Sequence, residues 1–295
     1  MAQQQIVVSV LGCGIMGSAI ARRSQHMGLH TIAWDRNFER ARKVGEGVEP
    51  VEHLLGAVNK ADVVVTMLAD ATAVLSVMDE HRGIDAMKEG AAWVQMATIG
   101  LRGIMKAEQI ALQRSDVVFV DAPVSGTKGP AEHGQLVILA SGDESKVPQA
   151  VHALFRAIGQ RTVWFGPVGR GTRMKLVMNA WLAALMEGLA ETLTVADSLE
   201  ISAQEFEQVI AGGPLAPAWA IAKLHKIEAG ETKDTEFPLK WADKDVHLAL
   251  DAVNETKPRS LPELESIAEA WDRALAQGLG DYDASAAYLA LQTSR

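Results

Sequence analysis

The apolar positions follow one pattern in the first half of the chain and another in the second half. In the first half, short runs rich in β-branched residues alternate with segments of helical length. These runs predict strands at residues 6–11, 30–35, 62–68, 91–96, 116–121, 135–140 and 161–165. Strands that alternate with helices indicate parallel βαβ units in a doubly wound sheet. The run at 135–140 follows a loop too short for a crossover helix, so we expect it to pair antiparallel.

The second half shows only helical periodicity. After the turn at Gly166-Pro167, the pattern predicts helices at residues 170–199, 203–211, 216–229, 239–254 and 261–277, with a short one from 284. We therefore expect an α/β chain with a Rossmann-type doubly wound domain at residues 1–166 and an all-α domain at 167–295. A long interdomain helix at about 170–199 would join them.

Composition and charge exclude several classes of protein. The 295 residues are 48% hydrophobic and 22% charged, with a formal net charge of −9, so a basic nucleic-acid-binding face is not expected. The single cysteine, Cys13, excludes an internal disulfide and fits a reducing compartment. No signal peptide and no uninterrupted apolar span is visible, so we expect a cytoplasmic chain that does not enter a membrane.

A glycine-rich loop follows the first predicted strand. Gly12, Gly14 and Gly17 have the spacing GxGxxG between a strand and a helix, which is the fingerprint of a dinucleotide site. The first glycine permits the turn, the second admits the pyrophosphate and the third lets helix and strand pack closely. Ile15 and Met16 lie in the same loop, where the helix N-terminus would face the phosphates.

The end of the second predicted strand leaves the choice of cofactor open. Asp35 stands where a carboxylate would bind the ribose hydroxyls, and it favours NAD because it repels a 2′-phosphate. The adjacent Arg36 could pair with that phosphate, which favours NADP. We therefore expect NAD or NADP without a stated preference.

One helix carries an unusual pair of polar residues. Lys175 and Asn179 are one turn apart and share a helix face, and no other charged residue lies between Lys175 and Glu187. Burying an ammonium group is costly, so this lysine either reaches water or performs chemistry.

Several separated motifs together resemble the β-hydroxyacid dehydrogenase family, which includes 3-hydroxyisobutyrate dehydrogenase and tartronate semialdehyde reductase. They are Leu11-Gly12-Cys13-Gly14-Ile15-Met16-Gly17, Asp121-Ala122-Pro123-Val124-Ser125-Gly126, the segment 169–179, the segment 237–249 with Lys244-Asp245, and Gly280-Asp281-Tyr282-Asp283-Ala284-Ser285-Ala286. The resemblance implies an NAD(P)-dependent oxidoreductase that transfers hydride between nicotinamide and a small β-hydroxyacid or semialdehyde.

The resemblance also implies roles for individual residues. Lys175 would be the general acid/base and Asn179 would hold the substrate or orient Lys175. Ser125 and Gly126 would bind the substrate carboxylate. The remaining residues would lie along the cofactor: Thr98 by the nicotinamide and substrate, Met67 and Leu68 by the ribose, and Lys244 by the nicotinamide end.

Some positions depart from the family pattern and leave the natural substrate undecided. Thr127 replaces a usual glycine, Ala97 replaces a common serine, and Trp219 would make the substrate site bulky and apolar. An imine reductase, a related group that generally lacks the lysine, is one alternative. A non-catalytic dinucleotide-binding protein is another.

Two further expectations concern partners and metals. His133, His225 and His247 show no spacing typical of a metal site, so none is expected. The tryptophans of the helical half offer apolar surface for a partner subunit, so we expect a homodimer or tetramer that binds a small carboxylate substrate. These tryptophans are Trp181, Trp219, Trp241 and Trp271.

Overall fold

The protein is described by a computed structural model covering residues 5–292. It divides into two compact units, Met1–Lys175 and Leu176–Arg295. The long helix passes from the first unit into the second.

The first unit is built on a parallel six-stranded sheet with the order β3-β2-β1-β4-β5-β6. The strands are β1 Val7–Leu11, β2 His30–Trp34, β3 Glu49–Pro50, β4 Val63–Thr66, β5 Ala92–Gln95 and β6 Val118–Asp121. Its helices are α1 Ile15–His26, α2 Phe38–Arg42, α3 Leu54–Val58, α4 Ala71–Leu75 with a π-helical turn Ser76–Glu80, α5 Gly83–Ala86, α6 Gly100–Ala111, α7 Lys128–Glu132 and α8 Gln149–Ile158. The predicted Rossmann-type sheet is confirmed.

The sheet buries apolar side chains on both faces, which explains the continuous β-branched runs. In β4, Val63 and Val65 belong to one hydrophobic core and Val64 to the other. Trp93 of β5 lies in the second core and packs edge-on against Phe119, with ring centroids 4.8 Å apart. Because both faces of the sheet are apolar, helices must cover both of them.

A second, three-stranded sheet comprises β7 Val124–Ser125, β8 Leu136–Ala140 and β9 Gly159–Trp164. β8 pairs antiparallel with β7, as expected for the run at 135–140, and parallel with β9. The expected loop between β7 and β8 contains the short helix α7. Neither β7 nor α7 was predicted, because segments of two and five residues are too short to show a periodicity.

The second unit is helical, as predicted. The long helix α9 covers Arg170–Ser198, and the others are α10 Ala203–Ile210, α11 Ala218–Glu228, α12 Leu239–Thr256, α13 Pro262–Ala276, a 3₁₀ turn Ala284–Ala286 and α14 Ala287–Gln292. In its core, the indole N–H of Trp271 donates to Glu187 Oε2 at 2.7 Å. Burial nevertheless raises the pKa of Glu187 above its usual value.

Within residues 5–292, one helix, α9, is long and apolar enough to cross a membrane by length and composition. About 44% of its most apolar window is buried inside the protein. Length and composition alone are weak evidence for a membrane span.

Candidate active site

The glycine loop lies between β1 and α1, and two of its glycines are required by the fold itself. Gly12 has φ +107°, and a Cβ there would lie 2.3 Å from the carbonyl oxygen of Met67. A Cβ on Gly17 would lie 1.8 Å from the carbonyl oxygen of Gly12. A Cβ on Gly14, in contrast, would have no atom within 4 Å. Gly14 therefore leaves open space beside the backbone, where a ligand can approach.

The first turn of α1 completes a surface suited to an anion. Gly14 precedes the helix without a side-chain cap, and the first turn, which includes Ile15 and Met16, contains no acidic residue. The first N–H groups of a helix have no partner within it, and they carry the positive end of the helix dipole. The loop therefore fits the pyrophosphate of a dinucleotide.

Met67, Leu68 and Thr98 follow β4 and β5, the two strands next to β1 on that side of the sheet. The Leu68 side chain closes over Gly12, since a Cβ there would be 2.9 Å from Leu68 Cδ2. In a doubly wound sheet, ligands usually bind at the carboxyl ends of the strands where the strand order reverses, as it does between β1 and β4. The structure thus brings Met67 and Leu68 together with the glycine loop.

Asp35 stabilises the glycine loop through hydrogen bonds. Its carboxylate is buried and accepts hydrogen bonds from the backbone N–H groups of Cys13 and Asn37, both at 2.9 Å. Arg36 is exposed. Burial, followed by the negative charge of Asp35, raises the pKa of the Cys13 thiol to about 12. The Asp35 carboxylate therefore has a structural task besides any contact with the ribose.

Ser125, Gly126 and Thr127 form the turn between β7 and α7. Ser125 is half-buried, and Gly126 has φ +124°, a conformation that favours glycine. A Cβ on Gly126 would also meet Leu136 Cδ2 at 2.9 Å. Thr127 precedes α7 without a side-chain cap. The turn presents a hydroxyl and backbone donors close together.

Asp121, at the end of β6, connects this turn to the start of α9. The side chain is fully buried, and its Oδ2 accepts from Ser141 Oγ at 2.9 Å and from the N–H groups of Gly169 at 3.1 Å and Thr172 at 2.9 Å. Its Oδ1 accepts from the Thr172 hydroxyl at 2.8 Å. Asp121 therefore caps α9 only one turn before Lys175.

A further contact fixes the same junction. Gly171 N–H donates to Ser141 Oγ at 3.0 Å, and a Cβ on Gly171 would lie 2.1 Å from the Leu139 carbonyl oxygen. α9 therefore begins in direct contact with β8. Burial raises the pKa of Asp121 to about 6, although the hydrogen bonds from Thr172, Ser141 and Gly169 oppose that rise.

The two residues singled out on α9 differ in environment. Lys175 is half-buried, and Asn179 is buried. The Asn179 amide nitrogen donates to Asp245 Oδ2 in α12. The ammonium of Lys244 lies 2.9 Å from Asp245 Oδ1, without the alignment of a hydrogen bond. Asp245 thus links Asn179 to Lys244.

Asp121 and Asp245 are residues whose tasks the sequence did not reveal. Both lie inside motifs that were recognised, but neither was assigned a role. An aspartate two residues before a Pro-x-Ser-Gly segment is compatible with many functions. Only the folded chain shows that the Asp121 carboxylate reaches α9.

Trp219 is half-buried on α11, and its indole nitrogen is buried without a hydrogen-bond partner among the described residues. Its ring centroid is 5.7 Å from the ammonium of Lys223. Lys223 is 2% exposed and pairs with Asp283 Oδ1 at 2.8 Å. Asp283 also accepts from the N–H groups of Glu236 and Phe237, so the motif at 280–286 holds the second unit together.

Comparison with known proteins places the chain in a family. Residues 7–166 match the family model described as the NAD binding domain of 6-phosphogluconate dehydrogenase. Residues 169–291 match the model described as NAD-binding of NADP-dependent 3-hydroxyisobutyrate dehydrogenase.

Two curated relatives illustrate the range of functions. The chain is 32% identical over 290 residues to glyoxylate/succinic semialdehyde reductase 1 of Arabidopsis thaliana, covering 98% of this chain and 99% of that protein. It is 30% identical over 288 residues to the human cytokine-like nuclear factor N-PAC, covering 96% of this chain and 51% of that protein.

Solved structures show the same fold. A 3-hydroxyisobutyrate dehydrogenase from Salmonella typhimurium matches with TM-score 0.87 and 21% identity over 97% of this chain and 99% of that one. The 3-hydroxyisobutyrate dehydrogenase of Mycobacterium tuberculosis with L-serine matches with TM-score 0.82 and 25% identity over 98% and 100%. An imine reductase from Pseudomonas sp. matches less well, with TM-score 0.61 and 19% identity over 98% and 100%. The chain belongs to the β-hydroxyacid dehydrogenase family of NAD(P)-dependent oxidoreductases, as its motifs indicated.

Proposed function

We propose that this chain reduces a small aldehyde that carries a carboxylate, in the manner of a semialdehyde reductase, with Lys175 as the general acid. One observation carries the proposal. Asp121 lies four residues before Ser125 in the chain and also caps α9 at Thr172, one turn before Lys175. The Asp121 carboxylate therefore connects the proposed substrate-binding turn with the helix that carries the proposed proton donor.

When bound, the nicotinamide supplies a hydride to the carbonyl carbon or accepts one from the alcohol carbon. The carbonyl oxygen then gains a proton from the Lys175 ammonium, and in the reverse direction the neutral amine removes the hydroxyl proton. Asn179, held by Asp245 through its amide nitrogen, keeps its carbonyl oxygen as an acceptor. We assign it the task of orienting the reacting hydroxyl or Lys175. Thr98 and Lys244 are assigned to the nicotinamide end, and Thr127 and Trp219 to substrate selection.

The substrate carboxylate is assigned to the Ser125 hydroxyl and to the backbone N–H groups of Gly126 and Thr127. Such a turn donates several hydrogen bonds to one anion, and a hydrogen bond to a charged group contributes about 1.5–3 kcal/mol. The curated relative named for glyoxylate and succinic semialdehyde supports this class, since both compounds combine an aldehyde with a carboxylate.

The test compares succinic semialdehyde with butanal, which has the same chain length but no carboxylate. We expect kcat/KM for the acid to be at least about tenfold higher, because the anchor binds only the acid. Ser125→Ala should reduce this ratio, whereas Ser145→Ala, on an exposed turn with Asp143, should leave it unchanged. Equal rates for both aldehydes would contradict the assignment.

The same assay separates the alternatives. A cyclic imine reduced faster than any semialdehyde would identify an imine reductase, which Lys175 and the weaker structural match disfavour. Cofactor binding without turnover of any compound would identify a non-catalytic dinucleotide-binding protein.

We also propose that a second copy of the chain covers the exposed face of α9. Val177 and Trp181, one turn apart, are each 65% exposed. Trp271, which we expected to contribute to such a surface, is instead buried in the core of its own unit. Light scattering should give at least a dimer mass, and Trp181→Lys should lower it. A monomer in the unaltered protein would refute the proposal.

A further inference from the structure

Three side chains that bind metals well converge on the surface of the second unit. Asp243 and His247 lie one turn apart on α12, and Asp272 lies on the neighbouring α13. One ligand atom from each lies within 4.8 Å of the others. Their short sequence spacing involves only two of the three, so the sequence alone did not predict a metal site.

Two of the three distances between these atoms match those between neighbouring ligands of one metal ion. His247 Nε2 lies 3.6 Å from Asp243 Oδ1, and it lies 3.4 Å from Asp272 Oδ1, with which it makes a long hydrogen bond. Nitrogen and oxygen ligands bind zinc at about 2.0–2.2 Å, so neighbouring corners of a zinc tetrahedron are roughly 3.3–3.6 Å apart. Hydrogen bonds from a histidine nitrogen to a carboxylate are normally shorter, at about 2.7–3.2 Å.

An independent observation points to a missing partner at this position. Asp243 is only 6% exposed, and its Oδ1 makes no hydrogen bond within the described part of the chain. A buried carboxylate oxygen without a partner is costly, and it is the oxygen that faces His247. A bound cation would satisfy this oxygen.

A second cluster on the same unit provides a natural comparison. Glu207, His225 and Glu228 also bring three ligand atoms together. There, however, His225 Nε2 lies 2.8 Å from Glu207 Oε1, which is an ordinary hydrogen bond, and none of the three residues is buried. None of its carboxylate oxygens is buried without a hydrogen-bond partner in the part of the chain that the structure describes.

We propose that Asp243, His247 and Asp272 bind one divalent transition metal ion of the zinc class, with water completing the coordination. Two carboxylates and a neutral imidazole balance the charge of a divalent ion. The metal would join α12 to α13 and stabilise the helical unit. The proposal does not depend on the substrate or on the activity of the chain.

The test is a titration of the tag-free, chelator-treated protein with Zn²⁺ by calorimetry and with Co²⁺ by visible absorption. We expect about one ion per chain, a raised unfolding temperature and the absorption typical of four-coordinate cobalt. His247→Ala should weaken binding at least about tenfold, as ligand loss is at least as severe as loss of an outer partner. His225→Ala, the matched control, should bind as the unaltered protein does.

Asp272→Asn provides a second variant whose folding is not at risk, because Asp272 is exposed. It should weaken binding as well. The proposal is wrong if the unaltered protein shows no stoichiometric binding, if His247→Ala and Asp272→Asn both bind normally, or if His225→Ala is the variant that loses the ion.

Discussion

The Asp121 carboxylate accepts two hydrogen bonds from Thr172, from its backbone N–H at 2.9 Å and from its hydroxyl at 2.8 Å. Both groups are buried. The pair joins the end of the sixth strand to the first turn of the helix that carries Lys175. The position of the proposed acid thus depends on a contact that neither substrate nor cofactor makes.

Asp121→Asn should lower kcat while leaving cofactor binding unchanged. An amide cannot accept all the hydrogen bonds that the two carboxylate oxygens accept, so the start of α9 shifts. A displacement of about 1 Å in a reacting group can cost about 100-fold in rate. Stopped-flow kinetics and fluorescence titration with NADPH would check this. If the cofactor Kd changed as much as kcat, Asp121 would be a general stability residue rather than a positioning one.

The pH dependence of stability should differ between the same two proteins. Burial raises the pKa of Asp121 from 3.8 to about 6 in the folded state, so the folded chain holds this proton more tightly than the unfolded chain. Its contribution to stability is complete below pH about 4 and is lost as the pH rises through about 6. The unaltered protein should therefore lose stability relative to Asp121→Asn across this range, as measured by urea unfolding. A constant difference would argue against a raised pKa.

Lys175→Ala should lower kcat by at least about 100-fold, the usual scale for a general acid or base. Cofactor affinity should stay unchanged, because Lys175 does not belong to the glycine loop. The control is Arg173→Ala, an exposed cation on the same helix. Normal turnover in Lys175→Ala would exclude the proposed mechanism.

Substitutions of Asp35 and of Arg36 should differ in how they change the affinities for NADH and NADPH. Asp35 holds the N–H groups of Cys13 and Asn37, so Asp35→Ala should weaken NADH and NADPH alike. Arg36→Ala should weaken NADPH selectively if the guanidinium meets the 2′-phosphate. Kd values for both cofactors measure this. Selective loss of NADH affinity in Asp35→Ala would show instead that the carboxylate mainly binds the ribose.

Lys223→Met should destabilise the chain by about 3–5 kcal/mol, because it leaves Asp283 buried without its cation. The pair is 2% and 0% exposed. Burial acts to raise the pKa of Asp283, but the charge of Lys223, its hydrogen bond and the backbone N–H groups of Ser285 and Glu236 together hold that pKa below its usual value. Lys240→Met breaks the Lys240–Asp281 pair, which is 40% and 82% exposed, and should cost no more than about 1 kcal/mol. Equal effects in chemical denaturation would contradict the buried-pair argument.

Periodicity predicted the architecture well because most elements are long or strongly apolar. The strand at β4 and the helix α9 agree with the predicted ranges to within a few residues. β3 and β7, with two residues each, were missed since they carry no pattern of their own. The shorter the element, the more its conformation depends on neighbours that are distant in sequence.

The sequence predicted the candidate site only where a local motif by itself indicates a chemical role. The glycine spacing and Lys175 do so. The hydrogen bond between Asp121 and Thr172 spans 51 residues, and the one between Asn179 and Asp245 spans 66 residues. No local spacing in the sequence indicates contacts over such separations. His225 and His247, which showed no spacing typical of a metal site, likewise lie beside acidic residues that are distant in sequence, Glu207 and Asp272.

Cys13 has a practical consequence for experiments on this protein. It is the sole thiol of the chain, it is buried, and burial raises its pKa to about 12. Thiol reagents attack the thiolate, which is scarcely populated here at neutral pH. A cysteine introduced at an exposed position would therefore be the one labelled by a maleimide dye, so fluorescence labelling of this protein needs no cysteine-free background.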